Sequence, residues 1–105
     1  MTITYGFTST MTAKPGLGDQ VVELLMSGLQ DGNPAASEHC RLYLVSRSLS
    51  DPDVVHVAEG WTSEEDHHRL FAGAQAQALV ARFAELLAGD PDYTDLVPVG
   101  GKAQL

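Results

Sequence analysis

A carboxylate and the single tryptophan of the chain stand two residues apart at the end of an apolar stretch. Residues 54–61 have the pattern of a strand, so Val55, Val57, Glu59 and Trp61 fall on one of its faces. A carboxylate on a buried face either pairs with a cation or changes its pKa. The Trp61 indole offers a large apolar surface and one N–H donor, so it either walls a pocket or fills the core.

A histidine follows in the next predicted helix. His67, Leu70, Phe71 and Ala74 recur at helical spacing, so His67 is expected to face inward with the apolar side chains. Imidazole has an ordinary pKa suited to proton transfer near neutral pH, which makes His67 the preferred proton acceptor. The structural alternatives are a histidine satisfied by a backbone carbonyl and an ion pair between Glu59 and one of four arginines: Arg41, Arg47, Arg69 or Arg82.

The elements that must position these residues alternate between strand and helix patterns. Their order is strand, helix, strand, strand, helix, strand, which is the split βαβ, ferredoxin-like arrangement of an α+β protein. It predicts a four-stranded antiparallel sheet with two helices on one face. Ala72 and Gly73 are expected to loosen the second helix. The other sheet face needs cover, so a symmetric homodimer packed sheet against sheet is predicted. The predicted strands cover 3–13, 40–49, 54–61 and 93–99, and the helices cover 17–29 and a stretch from Ser63 to Leu87.

The bulk properties limit the classes of partner. A length of 105 residues predicts a single domain over 1–105, and a formal net charge of −8 disfavours nucleic acid and anionic membranes as partners. The chain has no signal-peptide pattern and no apolar run long enough for a membrane span, so a cytoplasmic location is expected. The one cysteine, Cys40, is expected to be a buried structural thiol. The histidines and Cys40 lack the spacing of a metal site, so no metal is predicted.

Several short motifs, taken in order, resemble the antibiotic biosynthesis monooxygenase (ABM) domain family over nearly the whole chain. The resemblance implies a dimeric α+β barrel, in agreement with the predicted topology. The motifs are Lys14-Pro15-Gly16, Cys40-x-x-Tyr43, Asp51-Pro52-Asp53, Glu59-x-Trp61-x-Ser63-x-Glu65 and Pro98-Val99-Gly100-Gly101-Lys102.

The resemblance implies a cofactor-independent monooxygenase that oxidises an electron-rich phenol, hydroquinone or anthrone with molecular oxygen as co-substrate. His67 would be the base, Trp61 a pocket wall, and Glu59 a group that orients or tunes them. The predicted substrate-binding residues are Tyr43, as a hydrogen-bonding group, together with Arg47 and Phe71.

Two other classes of function stay open on the same fold. An isomerase or lyase acting on a small carbonyl compound would use the same base, with Arg47 or Arg82 as a cationic anchor for an anionic substrate. A non-catalytic ligand-binding dimeric module would be indicated by a filled cavity or a solvent-facing His67. The haem-degrading members of the family are a poorer match, because Phe71 stands near the position of their axial histidine.

Overall fold

A computed structural model describes residues 2–102. It contains the strands and helices in the predicted order, except that the second predicted helix is divided into two. A short 3₁₀ turn, Pro34–Ala36, follows the first helix. The strands are β1 (Tyr5–Thr12), β2 (Cys40–Arg47), β3 (Val54–Trp61) and β4 (Asp92–Leu96), and the helices are α1 (Gly18–Ser27), α2 (Glu64–Phe71) and α3 (Ala74–Leu86).

The four strands form one antiparallel sheet in the order β2-β3-β1-β4, which confirms the predicted ferredoxin-like fold. The register places Phe7 and Tyr43 on either side of Glu59. Because side chains alternate along a strand, these three residues share one face with Val57 and Trp61. The sheet therefore presents a single row of side chains from three strands toward the helices.

The core lies between this face and α1. Met11, Val21, Leu25, Val55 and Val57 form a buried apolar cluster that joins the two central strands to the helix. Full burial of one such side chain stabilises the fold by roughly 1.5–3 kcal/mol. The apolar spacing of α1 and the alternation of the strands thus fix which sheet face the helix covers.

The second predicted helix is two helices rather than one. α2 ends at Phe71 and α3 begins at Ala74, and Gly73 between them has an extended backbone with φ −68° and ψ 156°. Glycine in a helix costs about 1 kcal/mol relative to alanine, so the helix ends where Ala72 is followed by Gly73.

Three strands end earlier than predicted. β1 begins at Tyr5 rather than at residue 3 and ends at Thr12, and Ala13 forms only an isolated bridge with Leu87. β2 ends at Arg47. The Ser48 N–H still donates across the hairpin to Val54 O at 2.9 Å, and the bends and turn of the connection follow within residues 49–53. β4 ends at Leu96 rather than at residue 99, and Pro98 has no N–H to donate to a sheet ladder.

The opposite sheet face carries mixed polar and apolar side chains. Leu44, Ala58 and Thr8 share it by register, and Ile3 covers Gly60, where an added Cβ would lie 3.1 Å from the isoleucine side chain. A second copy packed on this face stays a prediction. We expect light scattering at micromolar concentration to give twice the chain mass, and the mass of one chain would contradict the dimer. No helix within residues 2–102 has the length and apolarity needed to cross a membrane.

Candidate active site

A cavity of about 410 Å³ lies between the sheet and the helices. This volume falls in the range of small-molecule sites, roughly 300–1,000 Å³. Most of the lining is apolar, and both α1 and α3 contribute to it. Tyr93 of the edge strand β4 also lines the cavity and is 61% exposed, so the cavity opens toward solvent at that edge. The apolar lining includes Phe7, Leu25, Val57, Phe71, Leu79 and Phe83.

Glu59 places a carboxyl group in this apolar cavity. Its side chain is 8% exposed, and Trp61 Nε1 donates a hydrogen bond to Glu59 Oε1 at 2.8 Å. Burial raises the pKa of Glu59 to about 7, and the hydrogen bond from Trp61 opposes part of that rise. The carboxyl group therefore changes its charge near neutral pH.

Among the described residues, none of the arginines considered as partners forms an ion pair with Glu59. Arg47 pairs instead with Asp19 on α1 at 2.8 Å, and Arg69 pairs with Asp66 at 2.8 Å. Arg82 lines a separate polar groove between α1 and α3. The pKa of Glu59 is affected by burial and by the Trp61 hydrogen bond and by no cation, Arg41 included, so a positive charge does not offset the desolvation of its carboxylate.

Trp61 does not line the cavity, which corrects the expectation that its indole forms a pocket wall. Its side chain is fully buried, and its ring stands nearly perpendicular to that of His67 at a centroid distance of 5.0 Å. The indole lies at the end of β3, where its N–H turns back to Glu59. Trp61 thus contacts two residues that line the cavity, Glu59 through a hydrogen bond and His67 through ring packing.

His67 lines the cavity, in the position that its helical stripe predicts. Its ring packs on Phe71 at 4.5 Å and on Phe7 at 5.1 Å between centroids, and its Nδ1 is buried with no hydrogen-bond partner among the described residues. Burial, and then the nearby His68, lower the pKa of His67 to about 4. The imidazole is therefore uncharged at neutral pH, and its Nδ1 can donate or accept a hydrogen bond with a ligand, depending on the tautomer.

The three predicted substrate-binding residues have different positions. Phe71 and Tyr43 line the cavity, and the Tyr43 hydroxyl donates to Leu25 O at 2.7 Å. Burial, and then the charge of Glu59, raise the pKa of Tyr43 above its usual range, so the phenol stays protonated and its oxygen can still accept a hydrogen bond. Arg47 lies outside the cavity lining in its ion pair with Asp19, which corrects its expected role.

The strand–helix junction fixes α2, which carries His67. Ser63 caps the helix by accepting a hydrogen bond from Asp66 N at 3.0 Å, in the pattern of a serine followed three residues later by an acidic residue. Thr62 Oγ1 donates to Asp66 Oδ2 at 2.5 Å, and His39 Nδ1 lies 3.1 Å from Thr62 Oγ1. These contacts join the start of β2 to the first turn of α2.

Ser9 is a cavity residue that the sequence pattern should have revealed. It lies on the same strand face as Tyr5, Phe7 and Met11, is 2% exposed, and its hydroxyl forms no hydrogen bond of good geometry among the described residues, with the Tyr93 hydroxyl as its polar neighbour. A polar residue on an otherwise apolar buried stripe was the available signal. Asp95 also lines the cavity, where its Oδ1 accepts a hydrogen bond from the Tyr5 hydroxyl at 2.8 Å.

Cys40 has the properties of a structural thiol. It is half-buried beside the end of β3, and its Sγ donates a weak hydrogen bond to Leu42 O. Burial, and then the charge of Glu59, raise the pKa of Cys40 to about 12, so the thiolate that nucleophilic chemistry needs is not formed near neutral pH. Within residues 2–102, no group of three or more histidine, cysteine or acidic side chains is placed to hold a metal ion.

Known proteins share this sequence pattern and fold. A family model described as antibiotic biosynthesis monooxygenase matches residues 5–82. A crystal structure from Chloroflexus aurantiacus J-10-fl, of a protein named as a candidate antibiotic biosynthesis monooxygenase, is 30% identical with a TM-score of 0.79, and the match covers 94% of this chain and 96% of that chain.

More distant structures show the fold. A similarly named protein from Deinococcus radiodurans is 22% identical with a TM-score of 0.76, covering 96% of this chain and 97% of that chain. One from Caulobacter crescentus CB15 is 21% identical with a TM-score of 0.75, covering 93% and 92%. No curated protein matches the sequence. The match of the family model over most of the chain means that this protein belongs to the antibiotic biosynthesis monooxygenase family.

Proposed function

We propose that the protein is a cofactor-independent monooxygenase that oxidises an uncharged, electron-rich phenol, hydroquinone or anthrone with molecular oxygen. The observation that carries the proposal is the Glu59 carboxyl, which titrates near pH 7 inside an apolar cavity large enough for a small aromatic molecule. Family membership supports the same class of reaction.

Glu59 is the stronger of the two bases in the cavity. Its pKa of about 7 exceeds the pKa of about 4 for His67, so the carboxylate holds a proton roughly a thousandfold more tightly. A general base works best when its pKa lies near the operating pH. Glu59 therefore takes the substrate proton, and His67 Nδ1 positions a substrate oxygen, which moves the role of base from the histidine to the carboxylate.

The substrate itself supplies the electrons. Loss of a proton to Glu59 leaves an electron-rich anion, which passes one electron to oxygen and gives a substrate radical and superoxide. The two radicals combine with a new C–O bond to form a peroxide, which takes up the proton. Cleavage of the O–O bond with loss of water leaves the quinone, so an anthrone and one O₂ give an anthraquinone and one H₂O. The protein contributes the base, orientation and exclusion of water.

The alternative isomerase or lyase acting on an anionic carbonyl compound has less support. No Lys or Arg is among the residues that line the cavity in the described part of the chain, and Arg47 and Arg82 lie elsewhere. A non-catalytic module is also less favoured, because the cavity is open and His67 lines it. The lining without a cation in the described part of the chain favours an uncharged ligand, and the presence of His67 in an open cavity favours chemistry on it.

Oxygen consumption tests the proposal directly. We expect the protein, treated with a chelator and freed of metal, to accelerate oxygen uptake with anthrone or a naphthohydroquinone and to form one quinone for each O₂ consumed. The same assay with heat-denatured protein gives the uncatalysed rate. Uptake no faster than that rate across a panel of anthrones and hydroquinones would rule the proposal out.

A further inference from the structure

Ser9 and His67 bring two buried polar atoms to one apolar cavity. Ser9 Oγ and His67 Nδ1 are both buried and neither forms a hydrogen bond of good geometry among the described residues, although the Tyr93 hydroxyl lies near enough to Ser9 for that contact to oppose the rise in the Tyr93 pKa; both residues line the cavity. A buried polar atom that lacks a partner usually costs about 1–3 kcal/mol. The fold tolerates this cost at two positions in the same space, as expected if a ligand completes both hydrogen bonds.

The two atoms are offset along β1. The His67 ring packs on Tyr5 and Phe7, at centroid distances of 5.7 Å and 5.1 Å, whereas Ser9 is the next residue along that strand face. Two residues along a strand span roughly 7 Å. A ligand that reaches both atoms must therefore be extended, with polar groups at separated positions and an apolar body between them.

The charges at the cavity restrict the ligand further. Glu59 and Asp95 are its two acidic residues, and the lining within residues 2–102 includes no Lys or Arg. An anionic ligand would meet negative charge without a counter-charge, at a high desolvation cost. Aromatic side chains, including Phe7 and Phe71, supply flat surfaces for an aromatic body.

We propose that Ser9 is a ligand-binding residue, whose hydroxyl and the Nδ1 of His67 together hold an uncharged, flat aromatic that carries hydrogen-bonding oxygens at two separated positions. This inference rests on the proposed function for the class of ligand and adds the arrangement of its oxygens. It assigns Ser9 to selection among substrates, since an aromatic with one oxygen leaves one of the two protein atoms unpaired.

Calorimetry under nitrogen tests the assignment without turnover. The probes are 1,5-dihydroxynaphthalene, with an oxygen on each ring, and 1-naphthol, which lacks one of them. One neutral hydrogen bond corresponds to about a 3- to 10-fold change in affinity. We expect the natural protein to bind the diol about 3- to 10-fold more tightly than the naphthol, and Ser9→Ala to reduce this preference to less than about twofold, the direct consequence of losing one bond.

Thermal unfolding without ligand separates binding from structure. Ser9→Ala removes a hydroxyl whose contact with Tyr93 lacks good hydrogen-bond geometry, so its Tm should be unchanged or higher. The matched control is Ser27→Ala, because Ser27 Oγ already donates to Leu24 O at 2.6 Å and Ser27 does not line the cavity. The control should keep the full preference for the diol.

Three results would overturn the assignment of Ser9: binding of neither probe to the natural protein, an undiminished diol preference in Ser9→Ala, or a Tm several degrees lower in that variant. Failure of the proposed function is a different result. Probes that bind with the expected preference while no substrate consumes oxygen would refute the oxidation and leave the binding role of Ser9 standing.

Discussion

Replacing Glu59 by glutamine is expected to lower kcat for oxidation of anthrone or hydroquinone by about 10²- to 10⁴-fold, the usual contribution of a general base. The amide has nearly the same shape and its oxygen can still accept the Trp61 N–H, but it takes no proton at neutral pH. The loss should therefore appear in kcat rather than in KM. In the natural protein, kcat should rise with pH through about 7 as the Glu59 carboxylate forms.

Two comparisons make this result specific to Glu59. Glu85→Gln removes an exposed carboxylate of α3 that does not line the cavity, and it should leave kcat unchanged. His67→Gln should mainly raise KM, since it alters a hydrogen-bonding group and not the base. If Glu59→Gln keeps activity within about threefold while His67→Gln loses about 100-fold, proton transfer belongs to the histidine.

The sequence was sufficient for the part of the site that local periodicity determines. Alternation along residues 54–61 placed Glu59 and Trp61 on the buried face, and helical spacing placed His67 on the inner side of α2. The serine cap at Ser63 was also readable, because a capping motif needs contacts between residues only three apart. Each of these inferences depends on one element and its neighbour along the chain.

The electrostatics of the site could not be read in the same way. Four arginines were equally plausible partners for Glu59, and their choice depends on which acids the fold brings within reach. Asp19 on α1 takes Arg47 and Asp66 on α2 takes Arg69, through contacts that composition does not reveal. The raised pKa of Glu59 follows from burial without a cation, so it became visible only with the three-dimensional arrangement.

The direction of a side chain at the end of an element was equally inaccessible. Trp61 is on the predicted face, but it closes β3 and folds its N–H back to the residue two before it. The pattern gave its face and not its rotamer, so the indole was expected in the wall of the cavity. Instead, the Trp61 N–H donates a hydrogen bond to the carboxyl group of Glu59. The sequence had singled out both residues but did not show that they contact each other.

The burial of Glu59 should also make stability depend on pH, with the sign opposite to that of an ion-paired acid. The pKa of Glu59 is about 7 in the folded protein and 4.5 for an ordinary glutamate, so between these values the folded state binds more protons than the unfolded state. The contribution of Glu59 to the free energy of unfolding therefore falls as pH rises from 4.5 to 7 and is constant above that. At about 1.4 kcal/mol per pH unit, the loss is about 3 kcal/mol.

The difference in unfolding free energy between Glu59→Gln and the natural protein isolates this contribution. Denaturant titrations from pH 4 to 8.5 should show a constant difference below about pH 4.5, a gain for the glutamine variant through neutral pH, and a plateau about 3 kcal/mol higher above pH 7. His67 lowers stability as pH falls from 6.5 to about 4, and both proteins share that effect. At pH 8 the variant should thus be less active, and its stability relative to the natural protein should be about 3 kcal/mol higher than at pH 4.5.

Trp61→Phe provides the companion measurement, because it removes the N–H that stabilises the ionised form of Glu59. A hydrogen bond to a charged group is worth about 1.5–3 kcal/mol, so the Glu59 pKa should rise by about one to two pH units in this variant. The ¹³C shift of the Glu59 carboxyl carbon follows that titration in each protein, and its signal is identified by its loss in Glu59→Gln. A flat stability difference across pH 4.5–7, or a carboxyl titration near pH 4.5, would contradict a desolvated Glu59 and remove the basis for assigning it as the base.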